Sequence, residues 1–210
     1  MAARVLDLSL WEGSLPPGRV VSLPGEIGAL FVVRGAVASG PEAGQARLRA
    51  PGAPIVAETG GADVLVWSLG PAGAGAAGGD SLLELQLSRT LELPAGRRVL
   101  RCDRVEFPPG GVAYTHTHRG PGIRRLIAGT FRVWVGEEVR DVPPGGSWFE
   151  AGPDPVYAEG SKTEATAFVR VMVLPEDLLG KSSITYVRPE DRDRPKDQRY
   201  TIFVDEPIDL

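Results

Sequence analysis

Histidine is nearly missing from this chain: His116 and His118 are the only two in 210 residues, and they stand one residue apart in Tyr114-Thr-His-Thr-His118. Cysteine is scarcer still. Cys102 is alone, so no intramolecular disulfide can form, and its place between charged residues of a strand-like run gives no sign of a reactive thiol. No apolar run reaches the roughly 18 residues a membrane-crossing helix needs. A basic excess is missing too: Lys and Arg number 23 against 27 Asp and Glu, and a formal charge of −4 offers little to a phosphate backbone. Membranes and nucleic acid are therefore not expected partners. The amino terminus lacks the basic, apolar and small-residue succession of a signal peptide, which points to the cytoplasm. Gly-rich phosphate loops and a Ser-His-Asp arrangement are absent.

Turn residues are plentiful. The 27 glycines and 19 prolines are dispersed between short apolar runs with no collagen-like period, which predicts many short strands joined by turns. Before residue 70 the strand candidates are 19–23, 29–35 and 63–69; after residue 80 they are 82–93, 98–107, 123–129, 130–136, 147–150, 156–159 and 165–174. Several alternate apolar with polar residues, as a strand with one wet face does, and Arg132 and Arg170 fall on that face. Only 175–180, with Pro at its start, two acids and a closing Gly, fits a helical turn or two. The class is all-β.

The run 70–79 contains only Gly, Ala and Pro and reads as a connection. It divides the chain into an amino-terminal domain (1–70), a linker (71–80), a second domain (81–175) and a carboxy-terminal extension (176–210). Pro-Pro-Gly before an apolar run occurs at 16–18 and again at 108–110, the outline of an internal duplication. The extension mixes both charge signs over 188–199 and ends in a strand candidate, 200–204. That strand needs a sheet edge, on its own barrel or on a second copy of the chain, so a homodimer is expected.

On a strand, residues i and i+2 share a face, so His116 and His118 present their imidazoles together, with Thr117 turned away. Two neutral imidazoles a pleat apart can bind one divalent metal. Gly110 stands six residues before His116 and Gly129 eleven after His118. In this spacing the sequence resembles the cupin superfamily, whose first motif is G-x5-H-x-H-x3,4-E-x6-G and whose fold is a small antiparallel β-barrel, a jelly roll. Gly110, His116, His118 and Gly129 match; the position of the family's glutamate is Gly122. The second motif, G-x5-P-x-G-x2-H-x3-N, is matched only in outline by 145–159, its histidine falling on Val156 or Tyr157. The resemblance covers about 105–175 and implies two tandem barrels, the first having Pro24 or Glu26 in place of the histidines.

Two of the four ligands the resemblance implies are therefore replaced. Glu150 is the candidate third ligand, because a carboxylate on the otherwise apolar run Trp148-Phe149 needs a metal, an Arg or a proton if it is buried. Arg124 is its alternative partner as an ion pair. Tyr114 by alternation shares the face of the histidines, Trp148 that of Glu150, and Tyr157 offers a phenol; with Arg124 these form the expected substrate pocket. Three functions stay open. One is a metal-dependent enzyme (Fe, Mn, Zn or Ni) of dioxygenase, isomerase or decarboxylase type acting on a small polar or acidic metabolite. Another is a non-catalytic barrel binding a small molecule or metal, and the last is a barrel with a lost site serving as an assembly module.

Overall fold

A computed structural model of the protein describes residues 3–23, 25, 27–73 and 80–210. Sixteen strands and two single-turn 3-10 segments make up its regular structure, and among the described residues there is no α-helix. Among the described residues no helix is long and apolar enough to cross a membrane. The positions expected to replace the histidines of the first domain, Pro24 and Glu26, lie outside the described residues, as do 74–79 of the Gly/Ala-rich run.

The chain divides into two compact units. In the first, strands β1 (Ala3–Leu15), β2 (Val20–Val21), β3 (Ile27–Val37), β4 (Ala46–Arg49), β5 (Ile55–Pro71) and β6 (Glu84–Pro94) form one antiparallel sheet in the order β4-β3-β5-β1-β6, with β2 beside β5. Its core includes Trp11, Leu30, Val32, Val64 and Val66. Sequence reading missed β1, although Leu6, Leu8 and Leu10 alternate there and all three are buried. It also assigned 82–93 to the second domain. That segment is β6, laddered along β1 from Ala3↔Pro94 to Glu12↔Glu84, so it belongs to the first unit, which runs to Arg97 and also takes in Ile208–Leu210. Long-range pairing outweighs local composition here.

The second unit has two five-stranded sheets. One runs β11 (Glu138–Val142), β10 (Phe131–Val135), β13 (Val156–Gly160), β8 (Val112–His118), β15 (Ile184–Tyr186). The other runs β12 (Ser147–Glu150), β9 (Gly122–Ala128), β14 (Thr166–Pro175), β7 (Arg97–Phe107), β16 (Arg199–Asp209). Aromatics fill one part of the unit's interior: Phe131 packs on Phe107, Phe168 and Trp148 with ring centroids 5.2, 5.4 and 5.6 Å apart. The antiparallel jelly-roll class is as expected, and the described strands pair in sheets of six, five and five. The terminal strand finds its edge beside β7 of its own chain, which removes the ground for expecting strand exchange in a homodimer. The helical candidate becomes a single 3-10 turn, Glu176–Leu178.

The three Pro-Pro-Gly tripeptides do the same local job. Arg19, Gly111 and Gly146 each donate a backbone N–H to the first proline's carbonyl, at 3.0, 2.9 and 2.8 Å, while Gly18, Gly110 and Gly145 take φ of 69°, 75° and 73°. Proline followed by a left-handed glycine is the signature of a type II turn. Gly110 of the H-x-H motif is one of these. Gly129, the motif's last glycine, has φ 70°, and a Cβ there meets Ala165 O and Thr166 Oγ1 at 2.7 Å, whereas a Cβ at Gly110 meets nothing. We expect Gly110→Ala to cost about 1 kcal/mol, the left-handed penalty alone, and Gly129→Ala roughly 2–3 kcal/mol; urea denaturation midpoints rank the two.

Candidate metal centre

Strand β8 delivers both histidines to the interior. His116 and His118 are 7% and 3% exposed, and Thr117 between them turns outward. A β-bulge breaks the alternation just before them: Val156 pairs with His116, but Ala158 pairs with Ala113, leaving Tyr114 and Thr115 opposite Tyr157 alone. The bulge moves Ala113 inward and Tyr114 outward, so Tyr114 does not share the histidines' face. It lines an outer hollow with Tyr157, beneath the cations of Arg194 and Lys196, 5.1 and 5.5 Å from its ring. Tyr157 donates its hydroxyl to Glu159 and packs on Trp134; burial and that carboxylate push its phenol up to about 12. These two members of the expected pocket therefore lie away from the centre, while Trp148 and Arg124 lie in it.

The histidine rings meet edge to face, with Nε2 to Nε2 3.1 Å apart. His116 Nδ1 is 2.7 Å from the Tyr114 carbonyl, so it is Nδ1 that carries the proton and Nε2 keeps its lone pair. The bulge thus gives Tyr114 a part after all, through its backbone. His118 Nε2 is 3.3 Å from Glu150 Oε2, and His118 Nδ1 is buried without a partner among the described residues.

Glu150 is held from three sides. Trp148 donates its indole N–H to Oε1 at 2.8 Å, His118 faces Oε2, and Arg124 Nη2 closes on Oε2 at 2.6 Å. The Arg124 contact is close but off the hydrogen-bonding line, so it is an ion pair rather than a well-directed bond. Arg124 also donates Nη1 to the Gly122 carbonyl at 2.6 Å. A Cβ at Gly122 meets Val171 O at 2.6 Å, Met172 Cγ at 2.7 Å and Arg124 Nη1 at 3.2 Å. No glutamate fits there. Glu150, however, is the direct cross-strand partner of Gly122. The carboxylate stands one strand over from the motif's position. Val156, at the second motif's histidine position, faces the interior and joins the apolar core.

Sequence reading missed two more members. In register, Trp148 pairs with Arg124, Arg124 with Arg170, and Arg170 with Asp103, so one pleat row across β12, β9, β14 and β7 carries four inward side chains. Arg170, expected on the wet face, is 4% exposed and grips Asp103 through Nε and Nη2 at 2.7 and 3.1 Å. Both faces of β14 are buried, so alternation there carries no inside-outside information. The signal that could have found this pair is its charge balance: Asp103 and Arg170 sit on neighbouring apolar runs.

Burial sets the protonation states. It lowers His118 to about 3 in spite of Glu150, and lowers His116 as well, so both rings are neutral near pH 7. Burial also pushes Glu150 upward, but Arg124, His118 and Trp148 together hold it well below the usual carboxylate range. Arg124 itself falls to about 10, burial outweighing Glu150. Cys102 is buried and its thiol is pushed far up.

The donor set suits a divalent transition metal: two neutral imidazole Nε2 atoms, one with its tautomer fixed by a carbonyl, and a nearby carboxylate. Nitrogens about 3 Å apart are what two ligands at about 2.1 Å and a right angle present. As Glu150 stands, drawn onto Arg124, no three His, Cys, Asp or Glu among the described residues form a ready-made cluster.

No protein-family model and no curated protein matches this chain. Solved structures do. A mutant of oxalate decarboxylase OxdC from Bacillus subtilis aligns over 90% of this chain and 73% of its own at 12% identity and TM-score 0.65; the same enzyme studied for its Mn(II) centres gives equal figures. AerE from Microcystis aeruginosa aligns over 80% of this chain and 87% of its own at 9% identity and TM-score 0.53. At such identities the likeness shows the fold, and the fold is cupin-like.

Two outcomes follow for the metal-free protein. Unfolded His118 titrates near 6.5 and folded His118 near 3, so the unfolded chain binds more protons between those values and stability drops as the pH is lowered through that window. From pH 7 to pH 5 the loss from this group is about 2 kcal/mol, read from denaturation curves at the two pH values and absent in His118→Phe. Glu150→Gln leaves Arg124 as a buried cation without a counter-charge and is expected to cost about 3 kcal/mol, measured the same way.

Proposed function

We propose that this chain binds one divalent transition metal, of the Fe, Mn, Zn or Ni kind, on His116 and His118, with Glu150 as third ligand, and acts on a small polar or acidic metabolite beside it. The observation that carries this reading is the convergence of the two Nε2 atoms at 3.1 Å with a carboxylate 3.3 Å from the second. The likeness to a Mn(II) enzyme's fold supports it.

The residues have distinct tasks in this reading. The Tyr114 carbonyl holds the His116 proton on Nδ1, leaving Nε2 as a donor to metal. Burial keeps both imidazoles unprotonated without help from the metal. Arg124 and Trp148 keep Glu150 ionised and aimed at His118, and a small rotation off Arg124 gives the third donor. A metal held by two histidines and one carboxylate supplies open positions for polarising a substrate oxygen or for oxygen chemistry.

The 2.6 Å Arg124–Glu150 contact favours a second reading, a binding barrel without catalysis whose interior charge is already neutralised. Metal analysis separates a working metal site from one whose charge Arg124 has already cancelled, and a substrate screen with Mn(II) or Fe(II) added separates catalysis from binding alone. Untagged protein, grown with the candidate ions supplied, is expected to carry about one metal per chain. His116→Ala is expected to lose it while keeping the wild type's circular dichroism spectrum, with a lower melting temperature. Metal content that is negligible in the wild type, or unchanged in the variant, sinks the proposal.

A further inference from the structure

The second unit contains a cavity of about 240 Å3 whose lining includes none of His116, His118 and Glu150. Arg170 and Asp103 are buried at it, together with Ser183, and Ile184 and Tyr186 of β15 and Tyr200 and Ile202 of β16 also line it. It is therefore built in large part by the carboxy-terminal segment. Tyr186 is the cross-strand partner of His116, with ring centroids 6.4 Å apart, so the cavity neighbours the candidate centre.

Two polar groups in this cavity are unspent. Arg170 uses Nε and Nη2 on Asp103, and its Nη1 has no hydrogen-bond partner among the described residues. Ser183 is 3% exposed, and its Oγ is buried without a partner. A buried hydroxyl left unpaired costs about 1–3 kcal/mol, and with a cation that keeps a spare donor lining the same cavity an oxyanion is the natural complement. The charge agrees. Asp103 is matched by Arg170, the other lining cations are Arg101, paired with Asp205, and Lys181, and burial holds the Tyr200 phenol neutral, up to about 12. The walls from Ile184, Ile202 and the two tyrosine rings are apolar, and the volume lies just under the usual range for drug-sized ligands.

We propose that this cavity binds a small organic monocarboxylate, its carboxylate at Arg170 and Ser183 and its apolar body between Tyr186, Tyr200 and Ile202. This rests on the reading above for the class of ligand, an acidic metabolite, and gives that ligand a seat other than Arg124, whose guanidinium is occupied by Glu150 and the Gly122 carbonyl. It does not require the metal.

The test is calorimetric titration of the full chain in excess chelator, with hexanoate and benzoate as probes and their neutral amides as controls. The acids are expected to bind and the amides to bind at least about tenfold more weakly, the worth of a charge-assisted hydrogen bond. Ser183→Ala is expected to weaken the acids roughly three- to tenfold, and Ile202→Trp, which grows a half-exposed side chain across the cavity, to abolish binding. Chemical-shift mapping on the wild-type chain, which needs no variant, is expected to move the amides of Ser183, Ile184 and Ile202. Equal binding of acids and amides, no binding of either, or shifts confined to other parts of the unit overturn the proposal. Since the titration runs without metal, its failure leaves the metal content untouched, and loss of metal in His116→Ala leaves the titration untouched.

Discussion

The ion pair between Arg124 and Glu150 is the constraint around which the second unit's interior is arranged. A carboxylate at 7% exposure cannot stay ionised in an apolar core unless a cation meets it, and a guanidinium at 1% exposure carries the mirror-image requirement. Arg170 and Asp103 repeat the solution one and two strands away. Two cations and two anions in or beside one pleat row cancel, so burial alone decides that the two histidines beside them stay neutral. Remove one member and the others become the costliest groups in the fold.

The same arrangement bears on function. His116, neutral because it is buried and with its Nδ1 proton tied to the Tyr114 carbonyl, has its Nε2 lone pair free, whereas His118 Nε2, set between that lone pair and Glu150, carries a proton that a metal would displace to Nδ1. Glu150 is the adjustable part: it has one oxygen on Trp148 and the other shared between Arg124 and His118. In the proposed metal-bound state, its division between cation and metal would set how strongly the metal is held. Arg170 is differently placed, fully committed to Asp103 on two nitrogens and facing the neighbouring cavity with the third.

Much of this was legible from local chemistry. Alternation and turn residues gave the all-β class. The spacing Gly110, His116, His118, Gly129 pointed to a jelly roll and paired the imidazoles. Gly122 was seen as the gap in the ligand set, and Glu150 with Arg124 as the groups that fill it. The failures have a common cause. Tyr114 was placed inside because a bulge, an extra residue opposite Tyr157, leaves no mark in a single strand's periodicity. Arg170 was placed outside because a strand buried on both faces has no wet side for alternation to report. Strand β6 went to the wrong domain because its partner, β1, is some eighty residues away.

Sequence by itself determined what depends on near neighbours: turn conformations, strand propensity, the shared face of His116 and His118, and the absence of a side chain at Gly122. Tertiary structure alone decided which strands are laddered together, and so which residues lie opposite one another. Register put Glu150 across from Gly122 and lined up Arg124, Arg170 and Asp103 in a single row. Such juxtapositions join residues tens of positions apart, through backbone hydrogen bonds that are blind to side-chain identity, and for that reason no local pattern encodes them.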